Sequence, residues 1–139
     1  MPSRLNPYVS FDDNARQAME FYQQVFGGEL SLNTYGGMGM PEDAPGADRI
    51  MHGMLETDSG FTLMGADNPP GEEFQPGNNM AISLSGDDAD QLRDYWEKLS
   101  GGGTVQVPLE KQMWGDEFGM CRDQFGVPWM VNIAGQAQG

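Results

Sequence analysis

The sequence is poor in basic residues, and this shortage excludes one large class of partners. Seven Lys and Arg residues stand against 21 Asp and Glu residues in a chain of 139, which gives a formal net charge of −14 at pH 7. A surface this negative repels the phosphates of nucleic acids and anionic membranes, and the sequence contains no Lys/Arg cluster that could attract them locally. We therefore expect binding neither to nucleic acid nor to a membrane.

The chain also lacks a second cysteine and any long apolar run. Because Cys121 stands alone, no internal disulfide can form, which fits a reducing compartment. No apolar run approaches the roughly 20 residues of a membrane helix. The start, MPSRLNPYVSF, lacks the basic and apolar regions of a signal peptide, so we expect a cytoplasmic protein. With 38% hydrophobic residues, the chain can still build a core of its own.

One segment near the start has the periodicity of an amphipathic helix. Between residues 15 and 26, apolar side chains recur every three to four positions and form one stripe. Asn14 and Gln17 have the spacing of a capping box at its beginning. Gly27–Gly28 follow the stripe, where glycine commonly ends a helix. We predict a helix with one buried face.

A second helix repeats the first. It is predicted to begin at Asp87 and to end at Gly101–Gly103, and its YWEKLSGG (Tyr95–Gly102) lies 74 positions after FYQQVFGG (Phe21–Gly28). A repeat of this period indicates tandem copies of one supersecondary unit.

A pair of strand motifs extends the repeat. GVPWM (Gly126–Met130) lies 66 positions after GFTLM (Gly60–Met64), and an Asp introduces each motif, at Asp58 and Asp123.

Strand-like segments surround both predicted helices and complete two βαβββ modules. The fold class is therefore α+β, with a first module at 1–68, a linker at 69–79 and a second module at 80–139 within one structural domain. The predicted strands are Pro7–Phe11, Glu29–Tyr35, Ile50–Glu56 and Phe61–Asp67 in the first copy, and Met80–Ser85, Thr104–Leu109, Glu117–Arg122 and Val127–Ile133 in the second.

The doubled unit resembles the vicinal oxygen chelate superfamily, which includes glyoxalase I, extradiol dioxygenases and the fosfomycin and bleomycin resistance proteins. Two blocks are similar to its PhnB-like branch, namely NPYVSFDDNARQAMEFYQQVFGGE and WGDEFGMCRDQFGVPWMVNI. The resemblance implies a cupped mixed sheet with the helices outside, formed by paired modules and often shared across a dimer. We therefore expect a homodimer that holds a small molecule in the cup.

The resemblance also implies where a metal would bind. Metal-dependent members take His, Glu or Gln ligands from the first and last strands of each module. Here the corresponding residues are Pro7, Met64, Asn79 and Met130. Proline offers no ligand, and thioethers are soft ligands that suit Ni, Zn, Mn or Fe(II) poorly. We expect no metal at these four residues and no other cofactor. A divalent ion held by other side chains is the alternative.

Methionine and aromatic side chains are the candidates for an apolar ligand cavity. The chain has 11 methionines, and about half of the strand side chains can face a cup. In the strand that opens the second module, we expect Met80, Ile82 and Leu84 to meet the helix. The predicted ligand-binding residues are Tyr8, Met54, Met64, Asn79, Ser83, Trp114, Phe118 and Met130.

Three residues are candidates for catalysis. His52 could transfer a proton, with Glu56 as the nearest group that could tune its pKa, or it could be an ordinary half-buried strand residue. Cys121 could be a nucleophile beside Arg122, but we favour a buried small apolar role. The leading function is metal-independent binding of a small organic molecule. A glyoxalase-like lyase or isomerase using His52 and Glu56, and a pure interaction scaffold, are the alternatives.

Overall fold

Each half of the sequence forms its own four-stranded sheet with one helix. The computed structural model describes residues 3–69 and 71–135, and the chain divides into two compact units between residues 76 and 77. The first unit contains β1 (Tyr8–Phe11), α1 (Ala15–Phe26), β2 (Glu29–Thr34), a 3₁₀ turn (Gly36–Met38), β3 (Ile50–Glu56) and β4 (Thr62–Asp67); the second contains β5 (Ile82–Gly86), α2 (Ala89–Ser100), β6 (Thr104–Lys111), β7 (Glu117–Arg122) and β8 (Pro128–Ile133).

The two sheets have the same mixed topology. Their strand orders are β1-β4-β3-β2 and β5-β8-β7-β6. In each sheet the first strand pairs in parallel with the last, and the other pairs are antiparallel. The predicted α+β class and the two βαβββ modules are therefore confirmed.

Helix α1 packs closely on two glycines of the first sheet. A Cβ atom on Gly65 would lie 3.0 Å from Met19 Sδ and 3.0 Å from Phe11 Cε2, and one on Gly53 would lie 3.5 Å from Met19 Cγ. The α1 stripe is buried as predicted, with Met19 fully inaccessible. Since successive strand residues point to opposite faces, the neighbours of these glycines point away from α1.

The start of α1 is capped differently from the prediction. Asn14 makes no side-chain capping hydrogen bond, so the predicted capping box with Gln17 is wrong. Instead the Ala15 amide donates to Asp67 Oδ1 at 2.9 Å, across 52 residues of sequence. Asp67 Oδ2 accepts a second bond, from the Ile50 amide at 2.8 Å. A buried carboxylate of β4 thus ties the helix to β3.

The second unit begins its regular structure later than predicted. Helix α2 starts at Ala89 rather than Asp87. Strand β5 starts at Ile82, so Met80 precedes the sheet and is 79% exposed instead of packing on the helix. Leu84 is buried as expected. Both helices have 12 residues, and no helix in the described residues is long and apolar enough to cross a membrane.

The turns before β4 and β8 are equivalent, but the residue that matches Asp123 is not the predicted Asp58. Thr57 Oγ1 accepts a hydrogen bond from the Phe61 amide at 3.0 Å. Asp123 Oδ1 accepts the equivalent bond from the Val127 amide at 3.1 Å. The structural counterpart of Asp123 is therefore Thr57, whereas Asp58 is exposed.

Candidate functional site

Several predicted site residues share the face of the first sheet that points away from α1. Gly53 and Gly65 face the helix, so Met54 and Met64 point the other way. Met54 and Met64 are direct cross-strand partners, and Tyr8 pairs with Met64 on the other side. We define the far face of the first sheet by Tyr8, His52, Met54, Met64 and Ala66.

Two rings meet on this far face. The centroids of the Tyr8 and His52 rings are 6.0 Å apart, with 30° between their planes. Tyr8 and His52 stand on β1 and β3, the two strands that flank β4. Tyr8 is 52% exposed and His52 is half-buried. A phenol and an imidazole thus offer polar groups beside two thioethers.

Tyr35 is a neighbour that the sequence did not single out. Its hydroxyl donates to the Asp67 carbonyl oxygen at 3.4 Å. Burial raises the pKa of Tyr35, and the charges of Tyr8, Asp67 and Glu72 raise it further, while Arg49 lowers it. The hydrogen bond to Asp67, the last residue of β4, places the Tyr35 hydroxyl at the end of the first sheet where β4 finishes.

Glu56 lies at the opposite end and does not form a pair with His52. The two residues are four positions apart on β3, which separates their backbones by roughly 13 Å. Glu56 is instead opposite Glu29 and Thr62. It lines a cleft of about 450 Å³ together with Arg4 and Phe61. The described residues contain no carboxylate paired with His52.

The second sheet repeats the methionine pair. A Cβ atom on Gly119 would lie 2.8 Å from Trp96 Cη2 of α2, so the neighbouring Met120 points away from the helix. Met120 and Met130 are direct partners, and Ser83 pairs with Met130. We define the far face of the second sheet by Ser83, Phe118, Met120 and Met130. It reproduces the Met54–Met64 arrangement without a histidine, since His52 is the sole histidine of the chain.

Trp114 lies in the loop before β7, beside this second far face. Its ring is 6.4 Å from that of Phe118, and the side chain is 62% exposed. The loop is fixed by Asp116, which accepts bonds from Asn132 Nδ2 at 3.0 Å and from the Gly135 amide at 2.7 Å. These bonds favour the carboxylate, and they lower the pKa of Asp116.

The residues that lie beside Met64 and Met130 on the first strands are not the expected Pro7 and Asn79. Asn79 is exposed and precedes β5. The residues that flank the last-strand methionines are Tyr8 and Ser83. The expected register was therefore displaced by one residue in the first module and by four in the second. The structure brings Asn79 to neither far face, whereas the other predicted ligand residues lie on a far face or beside it.

The donor set at these positions does not fit the metals of the superfamily. Tyr8 and Ser83 offer hydroxyl groups, while Met64 and Met130 offer thioethers. Thioethers are soft donors, whereas Zn, Ni, Mn and Fe(II) sites are built from imidazole, carboxylate or thiolate groups. Within residues 3–69 and 71–135, no three His, Cys, Asp or Glu side chains are placed to hold a metal ion.

Cys121 is buried within the second unit. Its side chain is inaccessible. Burial raises the pKa of the Cys121 thiol to about 11, and the charge of Asp123 adds to the effect. A thiol in this state is protonated near neutral pH and is a poor nucleophile. This environment agrees with the expected apolar role.

The geometry and the sequence comparisons agree on the family. The model of the Glyoxalase/Bleomycin resistance protein/Dioxygenase superfamily matches residues 4–131. The chain belongs to this superfamily.

Individual relatives cover nearly the whole chain. YjdN of Escherichia coli is 26% identical over 95% of this chain and 96% of its own. The crystal structure of PA1353 from Pseudomonas aeruginosa is 36% identical, with a TM-score of 0.83 over 97% of this chain and 100% of that one. The PhnB protein of Bacillus cereus is 20% identical, with a TM-score of 0.76 over 95% and 100%, and that likeness shows the fold alone.

Proposed function

We propose that this protein binds a small organic molecule on a methionine-bearing far face, first of all that of the first sheet, without the divalent metal that many superfamily members use. The observation that carries the proposal is the direct pairing of Met54 with Met64 beside Tyr8 and His52. Ligand sites are mostly apolar surfaces with a few polar groups that fix orientation, and this face has that composition. We include in the proposal that the protein is a cytoplasmic homodimer, as the superfamily resemblance implies.

The thioethers favour a ligand with a flat apolar part. Methionine side chains are flexible and polarizable, and a sulfur–aromatic contact contributes about 0.3–1.5 kcal/mol. The hydroxyl of Tyr8 and the imidazole of His52 could each form one hydrogen bond with a polar group of that ligand. On the second sheet, Phe118 shares the far face with Met130, and the ring of Trp114 lies 6.4 Å from that of Phe118.

The test is a thermal-shift screen of small aromatic compounds in buffer that contains EDTA. A ligand that binds the folded protein raises its melting temperature. For a compound found in this way, Tyr8→Ala and Met64→Ala should each raise Kd by about tenfold, or about 1.4 kcal/mol. Met80→Ala is the matched control, because Met80 is 79% exposed and precedes β5. Binding that requires an added divalent metal, or that ignores both far-face variants, would contradict the proposal.

The second candidate function is a glyoxalase-like lyase or isomerase. It is favoured by the Tyr8–His52 contact, since a phenol and an imidazole 6.0 Å apart could both exchange protons with one substrate. Glu56 stands too far along β3 to bind the imidazole directly, so its role would be separate. Turnover of a ligand found in the screen should be lost in His52→Ala. Turnover that survives this substitution rejects the assignment of His52.

A further inference from the structure

The paired thioethers of Met54 and Met64 can coordinate a soft metal ion, a property that binding of an organic ligand does not require. We propose that Met54, Met64 and His52 form a site for a soft monovalent metal ion, namely Cu(I). The inference goes beyond the proposed function, since it requires no organic ligand. It starts from the mismatch described above: the side chains that suit Zn or Mn poorly are those that suit Cu(I) well.

The register brings the two sulfurs within reach of one ion. Met54 and Met64 are direct partners in the antiparallel β3–β4 pair, and Cβ atoms of such partners are about 4.5–5.5 Å apart. Rotation about the Cα–Cβ and Cβ–Cγ bonds of each flexible side chain can turn both sulfurs toward a common centre. Both side chains are half-buried, which limits competition from water.

The imidazole can supply a third donor. His52 is two residues before Met54 on β3, so its side chain leaves the same face. Its ring reaches toward Tyr8, which lies on the far side of β4 next to Met64. The imidazole therefore extends across β4 in the region of the methionine pair. Imidazole is an accepted copper ligand, and thioethers are the soft donors that Cu(I) prefers.

The second sheet provides an internal comparison. Met120 and Met130 are paired in the same way, but no histidine lies on that far face. Two thioethers alone are weaker ligands than two thioethers with an imidazole. The first unit should therefore bind one Cu(I) ion more tightly than the second. The net charge of −14 raises the local concentration of any cation near either face.

The experiment is an anaerobic Cu(I) titration of the full chain against the chelator bathocuproine disulfonate, repeated by calorimetry with Ag(I). Wild type should bind one ion tightly, and the double variant Met54→Leu/Met64→Leu should bind it at least about tenfold more weakly. Leu preserves most of the apolar volume. The matched control is Met80→Leu/Met113→Leu, because these two thioethers are 79% and 100% exposed, and its affinity should equal that of wild type.

A spectroscopic measurement keeps the proposal testable if the double variant fails to fold. In wild type with ¹³C-labelled methionine methyl groups, one equivalent of Ag(I) should shift two methyl resonances. Shifts confined to the methyl groups of other methionines, or no shift at all, would overturn the proposal without any variant. Equal affinity in wild type and the double variant would overturn it as well. Failure of the Cu(I) site would not count against binding of an organic ligand, because the thermal-shift screen for that ligand contains EDTA and no copper.

Discussion

Asp67 shows how much of the first unit depends on one side chain. The carboxylate is 4% exposed, and its two oxygens accept backbone amides from different elements, Ala15 of α1 and Ile50 of β3. The N-terminus of a helix favours negative charge, because its first amides have no partner within the helix. Asp67 thereby does what Asn14 was predicted to do. It also fixes β3, the strand that carries His52 and Met54.

Substitution of Asp67 by Asn should destabilise the first unit. An amide has one acceptor oxygen, so its NH₂ group would face either the Ala15 or the Ile50 amide, donor against donor. Leaving a buried donor unpaired costs about 1–3 kcal/mol. Urea unfolding should therefore show Asp67→Asn less stable than wild type by about 2 kcal/mol. The exposed Asp58→Asn is the control; equal stability of the two variants would refute the capping role of Asp67.

Cys121 should make stability depend on pH in the alkaline range. Its thiol pKa rises from 9.0 to about 11 in the folded chain, so the folded state holds the proton more tightly than the unfolded state. The contribution of the protonated Cys121 thiol to the free energy of unfolding is therefore fully present below pH 9, and it is lost as the pH rises toward about 11.

We expect the free energy of unfolding to fall between pH 9 and 11 more steeply in wild type than in Cys121→Ala. Urea unfolding at fixed ionic strength would measure this difference. Rapid alkylation of the native thiol at pH 8 would show instead that Cys121 is accessible.

At the scale of elements, close contacts at glycines set which strand face is available. Gly119 of β7 lies against α2, and a Cβ atom there would be 2.8 Å from Trp96 Cη2 and 2.9 Å from Leu109 Cα. The second contact is with backbone, which cannot turn aside as a side chain can. The same packing that seats α2 therefore directs Met120 and Phe118 to the far face of the second sheet.

Gly119→Ala should cost stability by crowding the α2–sheet contact. Overpacking of a well-packed core typically costs about 1–3 kcal/mol, and the backbone neighbour Leu109 places this site toward the upper end of that range. Thermal unfolding of Gly119→Ala against Gly77→Ala would measure it, since a Cβ atom on Gly77 meets nothing closer than 3.6 Å. An unchanged melting temperature for Gly119→Ala would mean that α2 is not seated on β7 as described.

At the scale of the whole molecule, local patterns predicted the architecture and missed its long-range details. The strand and helix segments were recognisable because alternation and helical periodicity are local, and β3 and β7 match the predicted bounds. The cap on α1 was missed because Asp67 is 52 residues from Ala15. The sequence placed Asn79 at the first-strand position beside Met130, whereas the structure has Ser83 there. The offset between two parallel strands depends on the chain that connects them, so it could not be read from either strand.

The candidate site was predictable in its composition and less so in its arrangement. The alternation along Ile50–Glu56 is visible in the sequence and puts His52 and Met54 on one face, and the 66-residue repeat relates Met64 to Met130. The approach of Tyr8 to His52 across β4 could not be read from either segment, since it depends on strand order. Tyr35 was missed because its hydrogen bond to Asp67 joins residues 32 positions apart, which no local pattern shows.

We propose that this superfamily member binds its ligand without a divalent ion, and elemental analysis of the untagged protein is the sharpest check. After expression in medium supplemented with Ni, Zn, Mn and Fe, none of these metals should co-purify near one equivalent per chain. The metal content should also be the same in Met64→Ala and Ser83→Ala as in wild type. One equivalent of any of the four metals in wild type, lost in either variant, would show that these strands hold a divalent ion.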